Sequence, residues 1–130
     1  MDLKIKVLLV EDNPEDAAVT ARVLKHNMLS NGLIIAASGN EALSALKNKS
    51  SSELPQLILL DINLPDVSGI DLLTRIKSDS NLNAIPVVIL TGSNEDQDIQ
   101  KSYDLGASNY LVKPISNDAL MLVIERLFYS

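Results

Sequence analysis

The chain has 130 residues, a length that fits one folded domain and can bury about two-thirds of the surface its unfolded form exposes. Its net charge is −6, from 17 acidic and 11 basic residues, and no cluster of Lys or Arg could neutralise a row of phosphates, which argues against direct nucleic-acid binding. The absence of cysteine excludes disulfides and thiol chemistry, and no apolar run has the length of a signal peptide or membrane span, so we expect a cytoplasmic protein.

The predicted elements alternate between strands and helices. Aliphatic runs at 5–10, 33–37, 57–60, 87–90 and 110–112 are too short for buried helices and predict five strands. Caps and helical spacing predict a helix from Asn13-Pro14 to a stop at 30–32, and four more at 41–46, 68–77, 94–105 and 117–128. This alternation predicts a doubly wound α/β fold with a parallel sheet, forming a single domain over 1–130.

Polar residues stand where four of the strands end. Glu11 and Asp12 follow the first strand, Asp61 the third, Thr91 the fourth and Lys113 the fifth. Because the carboxyl ends of parallel strands surround one crevice, these groups are expected to share one pocket. Three carboxylates in a partly desolvated cleft would repel one another unless a cation neutralised them, and Mg²⁺ prefers such oxygen ligands. The lack of Cys and the presence of only one, distant His argue against zinc.

Each of these residues has an ordinary structural explanation when it is considered alone. Asp12 or Asp61 could serve as a helix cap, Thr91 could hydrogen-bond a turn, and Lys113 could be a solvated loop residue. Only their convergence at neighbouring strand ends favours a reactive site.

The same residues belong to short motifs in a fixed order. The motifs are Leu9-Val10-Glu11-Asp12-Asn13, Leu59-Leu60-Asp61-Ile62-Asn63-Leu64-Pro65, Leu90-Thr91-Gly92 and Tyr110-Leu111-Val112-Lys113-Pro114. In order, spacing and placement they resemble the receiver domains of two-component response regulators, in particular the stand-alone, chemotaxis-regulator-like members. The resemblance implies a flavodoxin-like fold with five helices and the strand order 2-1-3-4-5. It also implies a cis Lys113-Pro114 bond, although most X-Pro bonds are trans.

The resemblance also assigns roles to the acids. It implies that Asp61 is the phosphoacceptor, whose carboxylate attacks a phosphohistidine or a small phosphodonor to form an aspartyl phosphate. Asp12 and Asp61 would bind Mg²⁺ together with the backbone carbonyl of Asn63. Glu11 would act directly or through water, and it replaces the Asp more common in the family, which puts only the metal geometry in doubt.

Further positions concern the phosphoryl group and its effect on the domain. Thr91 and Lys113 would hold phosphoryl oxygens and stabilise the charge of the transition state. Asn63 and Ser93 occupy the variable positions that flank the attacking water in relatives, and they would tune self-dephosphorylation. Tyr110 would be a switch aromatic that moves inward with Thr91, the alternative being an ordinary half-buried strand tyrosine.

Two surfaces are expected to contact partners. Glu15, Val19 and Arg22 share the first-helix face on which relatives dock a histidine kinase or histidine phosphotransfer protein. His26 lies nearby and is more simply explained as a solvated residue that complements the helix dipole. The last helix is apolar almost all round, which predicts an association patch with the fourth helix and fifth strand for a homodimer or an output protein. Its residues beside or opposite the buried stripe are Met121, Leu122 and Phe128.

The sequence thus predicts a phosphorylation-dependent signalling switch, with no enzymatic activity beyond its own Mg²⁺-dependent phosphorylation and dephosphorylation. A degenerate receiver would usually lack an acid, the Thr or the Lys, and all are present. A haloacid-dehalogenase-type phosphatase would have a second acid where Asn63 stands. A flavin carrier would need a hydroxyl-rich phosphate loop in place of Glu11-Asp12-Asn13-Pro14, whose acids would repel phosphate.

Overall fold

Five strands and five helices alternate along the computed structural model, which describes residues 5–27, 32–92 and 97–129. The strands are β1 (Val7–Val10), β2 (Ile34–Ala36), β3 (Leu57–Asp61), β4 (Val87–Thr91) and β5 (Asn109–Val112). The helices are α1 (Pro14–His26), α2 (Gly39–Leu46), α3 (Gly69–Ser78), α4 (Asp98–Asp104) and α5 (Asn117–Phe128). The predicted alternation is confirmed.

The strands form one parallel sheet in the order β2-β1-β3-β4-β5, as expected. Every residue of β1, β3 and β4 is buried, because successive side chains point to opposite faces and helices cover both faces. One aliphatic cluster packs with α2 and α3, and the other packs with α1 and α5. In the strand register Asp61 lies beside Leu90 and Thr91 beside Val112, so the carboxyl ends of β3, β4 and β5 form one edge.

The helix starts are set by side-chain caps. Asn13 accepts hydrogen bonds from two backbone N–H groups of the first turn of α1, and Ser116 accepts one from Ala119, so α1 and α5 begin where they were predicted. Helix α2 begins at Gly39 rather than at 41, because Ser38 is its cap. Ser68 likewise caps α3 instead of being its first helical residue.

Two other boundaries differ from the prediction by more than one residue. Strand β1 begins at Val7 instead of residue 5. Helix α1 ends at His26, where Asn27 donates its backbone and side-chain N–H groups to the Val23 carbonyl. The predicted stop at 30–32 was therefore wrong, and residues 28–31 lie outside the described part of the chain. Helix α4 is described from Asp98, and its predicted start at 94 lies among residues 93–96, outside the described part of the chain.

The Lys113-Pro114 peptide bond is cis, as the resemblance implied. Among the described helices, none combines the length and apolar character that a membrane crossing requires.

Candidate functional site

Three carboxylates meet at the carboxyl edge of the sheet. Glu11 and Asp12 directly follow β1, and Asp61 is the last residue of β3. One oxygen from each lies within 4.8 Å of the others. Glu11 and Asp61 are only 2% and 4% exposed, whereas Asp12 faces solvent. This donor set, buried on one side and open on the other, fits a hard divalent cation such as Mg²⁺, which binds carboxylates and keeps several waters.

The ammonium group of Lys113 holds the acids together. Its Nζ lies 2.8 Å from Glu11 Oε1, 3.0 Å from Asp16 Oδ2 and 3.2 Å from Asp61 Oδ2. The backbone N–H of Lys113 also donates to the Thr91 carbonyl at 2.7 Å, which ties its position to the end of β4. An ammonium has three N–H donors, so each is matched by one carboxylate.

Asp16 is the member of this group that the sequence did not reveal. It lies in the first turn of α1, where an acidic residue is common because it complements the positive end of the helix dipole. Its side chain is 42% exposed, yet it contacts the same ammonium as buried Glu11 and Asp61. The Pro14-Glu15-Asp16 sequence is the available signal, because it fixes Asp16 at the end of α1 that faces the pocket.

Burial and neighbouring charges shift the pKa values of Glu11 and Lys113. The pKa of Glu11 is raised to about 7, first by burial and then by its hydrogen bond with Asp61 and the charge of that carboxylate. Its bonds from Lys113 and the Asn13 N–H lower the pKa by less. Burial alone would lower the pKa of Lys113, but its carboxylate partners outweigh burial and raise that pKa. Lys113 therefore stays charged, and Glu11 is partly protonated near neutral pH.

The nucleophile candidate is held from two directions. Asp61 Oδ1 accepts the backbone N–H of Asn63 at 3.0 Å, while Oδ2 faces Lys113. The loop continues from there with no room for a side chain at Gly69, where a Cβ would lie 2.6 Å from both the Asp61 carbonyl oxygen and Ile62 Cα. The path of the chain after β3 is thus fixed by backbone contacts.

The remaining predicted site residues surround these acids. Thr91 is fully buried at the end of β4, and the Asn63 side chain is exposed. Ser93 lies outside the described residues. A cleft of about 440 Å³ is lined by Asp12 and Asn63 and extends to Lys101 of α4.

Tyr110 of β5 is half-buried and packs against an aromatic residue of α4. Its ring meets Tyr103 edge to face, with centroids 6.3 Å apart and planes at 85°. Tyr103 Oη donates to Asn109 Oδ1 at 3.2 Å. The sequence pointed to Tyr110 alone, because the pairing depends on how α4 packs beside β5.

The two predicted partner surfaces differ in exposure. On α1, Glu15, Val19 and Arg22 are all exposed, as is His26. On α5, Leu122 is 49% exposed. Met121 and Phe128 are half-buried against the sheet-facing cluster. The neighbouring exposed apolar residues are Tyr103, Val112 and Tyr129.

Comparison with known proteins identifies the family. The response regulator receiver domain family matches residues 7–125. Response regulator Rcp1 of Synechocystis sp. (strain ATCC 27184 / PCC 6803 / Kazusa) is 40% identical over 110 residues, covering 82% of this chain and 75% of Rcp1.

Two solved structures share both the fold and sequence similarity. The phosphorylated cyanobacterial phytochrome response regulator RcpA is 35% identical, with a TM-score of 0.79 and coverage of 98% of this chain and 96% of RcpA. The receiver domain of sensor histidine kinase PA1611 from Pseudomonas aeruginosa PAO1, which holds magnesium in its active-site cleft, is 26% identical, with a TM-score of 0.83 and coverage of 98% and 100%. The family match extends from the start of β1 nearly to the end of α5, and the relatives agree with it. The chain therefore belongs to the response regulator receiver domain family, whose members act as signalling switches.

Proposed function

We propose that the chain works as one receiver domain over 1–130 whose Asp61 accepts a phosphoryl group from a histidine kinase or histidine phosphotransfer protein. The observation that carries the proposal is the position of Asp61: its buried carboxylate lies against Lys113 and within 4.8 Å of two further acids. A carboxylate beside an ammonium and a cation site has the groups that phosphoryl transfer requires, since positioning and charge stabilisation supply most of the catalysis.

The reaction forms one bond and breaks one. An Asp61 oxygen bonds to phosphorus as the bond from phosphorus to the donor histidine nitrogen breaks, and the electron pair returns to the imidazole. Of the three carboxylates that Lys113 contacts, Asp61 is the farthest from the ammonium group. The N–H that faces Asp61 would therefore be the one that rotates toward a phosphoryl oxygen. The Asn63 N–H keeps the carboxylate plane fixed during attack.

Mg²⁺, when bound, would neutralise the acids and the incoming phosphoryl oxygens. Asp12, Asp61 and the Asn63 carbonyl would hold it, and Glu11 would act directly or through water. Asp12 is the solvent-exposed carboxylate of the three and lines the cleft, so the cation site would be open to solvent on that side. With the acids neutralised in this way, Lys113 would be held less strongly by them and could contact a phosphoryl oxygen.

The signal would leave through β5 and its neighbours. In this proposal buried Thr91 shifts toward the phosphoryl group, and Tyr110 follows into the vacated space while Tyr103 and α4 readjust. The changed surface of α4, β5 and α5, with Leu122 at its exposed part, would bind a second copy or a cytoplasmic output protein. The Glu15, Val19 and Arg22 face of α1 would receive the kinase, and Asn63 and Ser93 would set the phosphoryl lifetime.

The direct test is intact mass after incubation with acetyl phosphate and Mg²⁺. One added phosphoryl group is expected in the wild type and absent both with EDTA and in Asp61→Asn, whose amide is no nucleophile but nearly the same shape. A wild-type chain that binds Mg²⁺ yet gains no mass would contradict the switch.

The proposed association surface needs a separate measurement. Sedimentation of the phosphorylated chain is expected to show a larger species, and Leu122→Ser should abolish it without changing phosphorylation. Val19→Ser is the matched control, since it removes an exposed apolar side chain from α1, in the surface proposed for the kinase. A chain that stays monomeric when phosphorylated would leave the output protein as the partner of this surface.

A further inference from the structure

The loop at 62–68 that follows β3 is tied to a helix from elsewhere in the chain. Asp66 Oδ1 accepts the backbone N–H of Gly39 at 2.9 Å, and Oδ2 accepts that of Asn40 at 3.0 Å. Gly39 and Asn40 are the first two residues of α2. Both oxygens of one carboxylate thus bond to a helix start that precedes them by 27 and 26 residues.

The same junction is closely packed. A Cβ at Gly39 would lie 2.7 Å from Val67 Cβ, so the start of α2 approaches the loop as closely as glycine allows. Backbone N–H groups of Val67, Asn40 and Gly39 lower the pKa of Asp66, which keeps its carboxylate charged while it accepts these bonds. The contact is a charge-assisted, two-point connection between loop and helix.

The loop is fixed at its two ends by different bonds. At its start, the Ile62 N–H donates to the Leu90 carbonyl at 3.1 Å, which joins the loop to β4. At its end, the Gly69 N–H donates to the Ile62 carbonyl at 3.1 Å and closes the loop on itself. Asp66 adds a third attachment between these points, three residues after Asn63, and this one reaches across to α2.

We propose that Asp66 is a positioning residue for the metal and phosphoryl site. By holding the middle of the loop on α2, it fixes the backbone of Asn63, whose N–H orients Asp61 and whose carbonyl is a candidate Mg²⁺ ligand. Mg²⁺ demands near-ideal octahedral geometry, so small freedom in a backbone carbonyl weakens binding even when the fold is intact. The inference rests on the proposed function, because it gives Asn63 its role in that site.

The chain offers a matched control in Ser38. Its Oγ accepts the Glu41 N–H at 3.1 Å, so it caps the same first turn of α2 by a hydrogen bond within the start of the helix. Ser38→Ala and Asp66→Ala each remove side-chain acceptors from one helix start, and both should lower the urea midpoint of unfolding. Only Asp66→Ala should also free the loop.

The experiment measures the Mg²⁺ dissociation constant by calorimetry and the rate of phosphorylation by acetyl phosphate at subsaturating Mg²⁺. Asp66→Ala is expected to weaken Mg²⁺ binding about tenfold, as outer partners of metal ligands typically do, with a parallel loss of rate that saturating Mg²⁺ restores in part. Ser38→Ala should remain within about twofold of the wild type in both. Asp66→Asn, which keeps one acceptor, should fall between them.

Wild-type Mg²⁺ affinity in Asp66→Ala, or an equal loss of affinity in Ser38→Ala, would overturn the proposal. Should Asp66→Ala fail to fold, Asp66→Asn carries the same comparison. A wild-type chain that binds Mg²⁺ but takes no phosphoryl group contradicts the proposed function alone, since the affinities of the variants still decide the role of Asp66. A wild-type chain that binds no Mg²⁺ overturns both.

Discussion

Asp16 Oδ2 lies 3.0 Å from Lys113 Nζ, so α1 brings a fourth carboxylate to the pocket at the sheet edge. Asp16 competes with the phosphoryl group for this ammonium and adds negative charge where an anion must enter. We therefore expect Asp16→Asn to speed phosphorylation by acetyl phosphate about two- to fivefold, with a smaller gain at high salt because the Asp16 side chain is partly exposed. Intact mass followed over time measures the rate.

Glu15→Gln is the control for Asp16→Asn. It removes the same charge from the neighbouring position on α1, but Glu15 is not among the carboxylates that contact Lys113. Its rate should match the wild type within about a factor of 1.5 at moderate salt. A slower rate in Asp16→Asn would instead mean that Asp16 holds Lys113 in its productive position.

Stability without metal should depend on pH through Glu11. The folded-state pKa of Glu11, about 7, lies above the ordinary value of 4.5, so the native state binds the extra proton between these two pH values. The stabilisation is complete below pH 4.5 and is lost as the pH rises through 7, a loss on the order of 3 kcal/mol. Urea unfolding in EDTA from pH 5.5 to 8 should show the decline.

The variant Glu11→Gln isolates this contribution. Its amide cannot titrate, so its stability should change less over the same pH range. Parallel curves for the variant and the wild type would show that Glu11 does not take up the proton.

Mg²⁺ affinity should rise with pH over the same range. A cation that binds beside Glu11 favours the charged carboxylate, so its binding must expel the Glu11 proton at pH 6 but not at pH 8. Calorimetry in buffers of different ionisation enthalpy should detect a fraction of a proton released at pH 6, fading toward zero at pH 8. Equal proton release at the two pH values would refute this linkage.

Gly69 should tolerate no side chain. A Cβ there would lie 2.6 Å from the carbonyl oxygen of Asp61 and 2.6 Å from Ile62 Cα, and backbone atoms cannot move aside as a flexible side chain can. We expect Gly69→Ala to lower the free energy of unfolding by at least about 2 kcal/mol and to impair phosphorylation, because relief of the contact displaces Asp61.

Gly92→Ala is the comparison for Gly69→Ala. Among the described residues a Cβ at Gly92 meets no atom within 4 Å, although this residue directly follows Thr91 at the same edge of the sheet. Its unfolding free energy should stay within about 0.5 kcal/mol of the wild type. Equal effects of the two substitutions would show that crowding at Gly69 is not the cause.

The fold could be predicted because its signals are local. Aliphatic runs such as Leu57–Leu60 are uniform since a parallel strand covered on both faces has no polar side. The convergence of Asp61 and Lys113 also followed from strand ends, because parallel strands place those ends at one edge. The distance between Asp61 and Lys113 depends on packing, but their placement at the same edge of the sheet does not.

What the sequence did not reveal depends on how helices sit on the sheet. Asp16, Tyr103 and Asp66 each contact a residue from another element, and no spacing rule relates their positions to those partners. The end of α1 was missed for a local reason: the Asn27 side chain caps the helix by a hydrogen bond to the Val23 carbonyl, and this cap involves neither glycine nor proline.

The acids that brace the pocket come from both helical layers. Asp16 reaches Lys113 from α1 on one face of the sheet, and Asp66 joins the loop after β3 to α2 on the other. Neither is one of the residues proposed to touch the metal or the phosphoryl group. Substitutions at these two positions should therefore change how fast the domain is phosphorylated, while every reactive group stays the same.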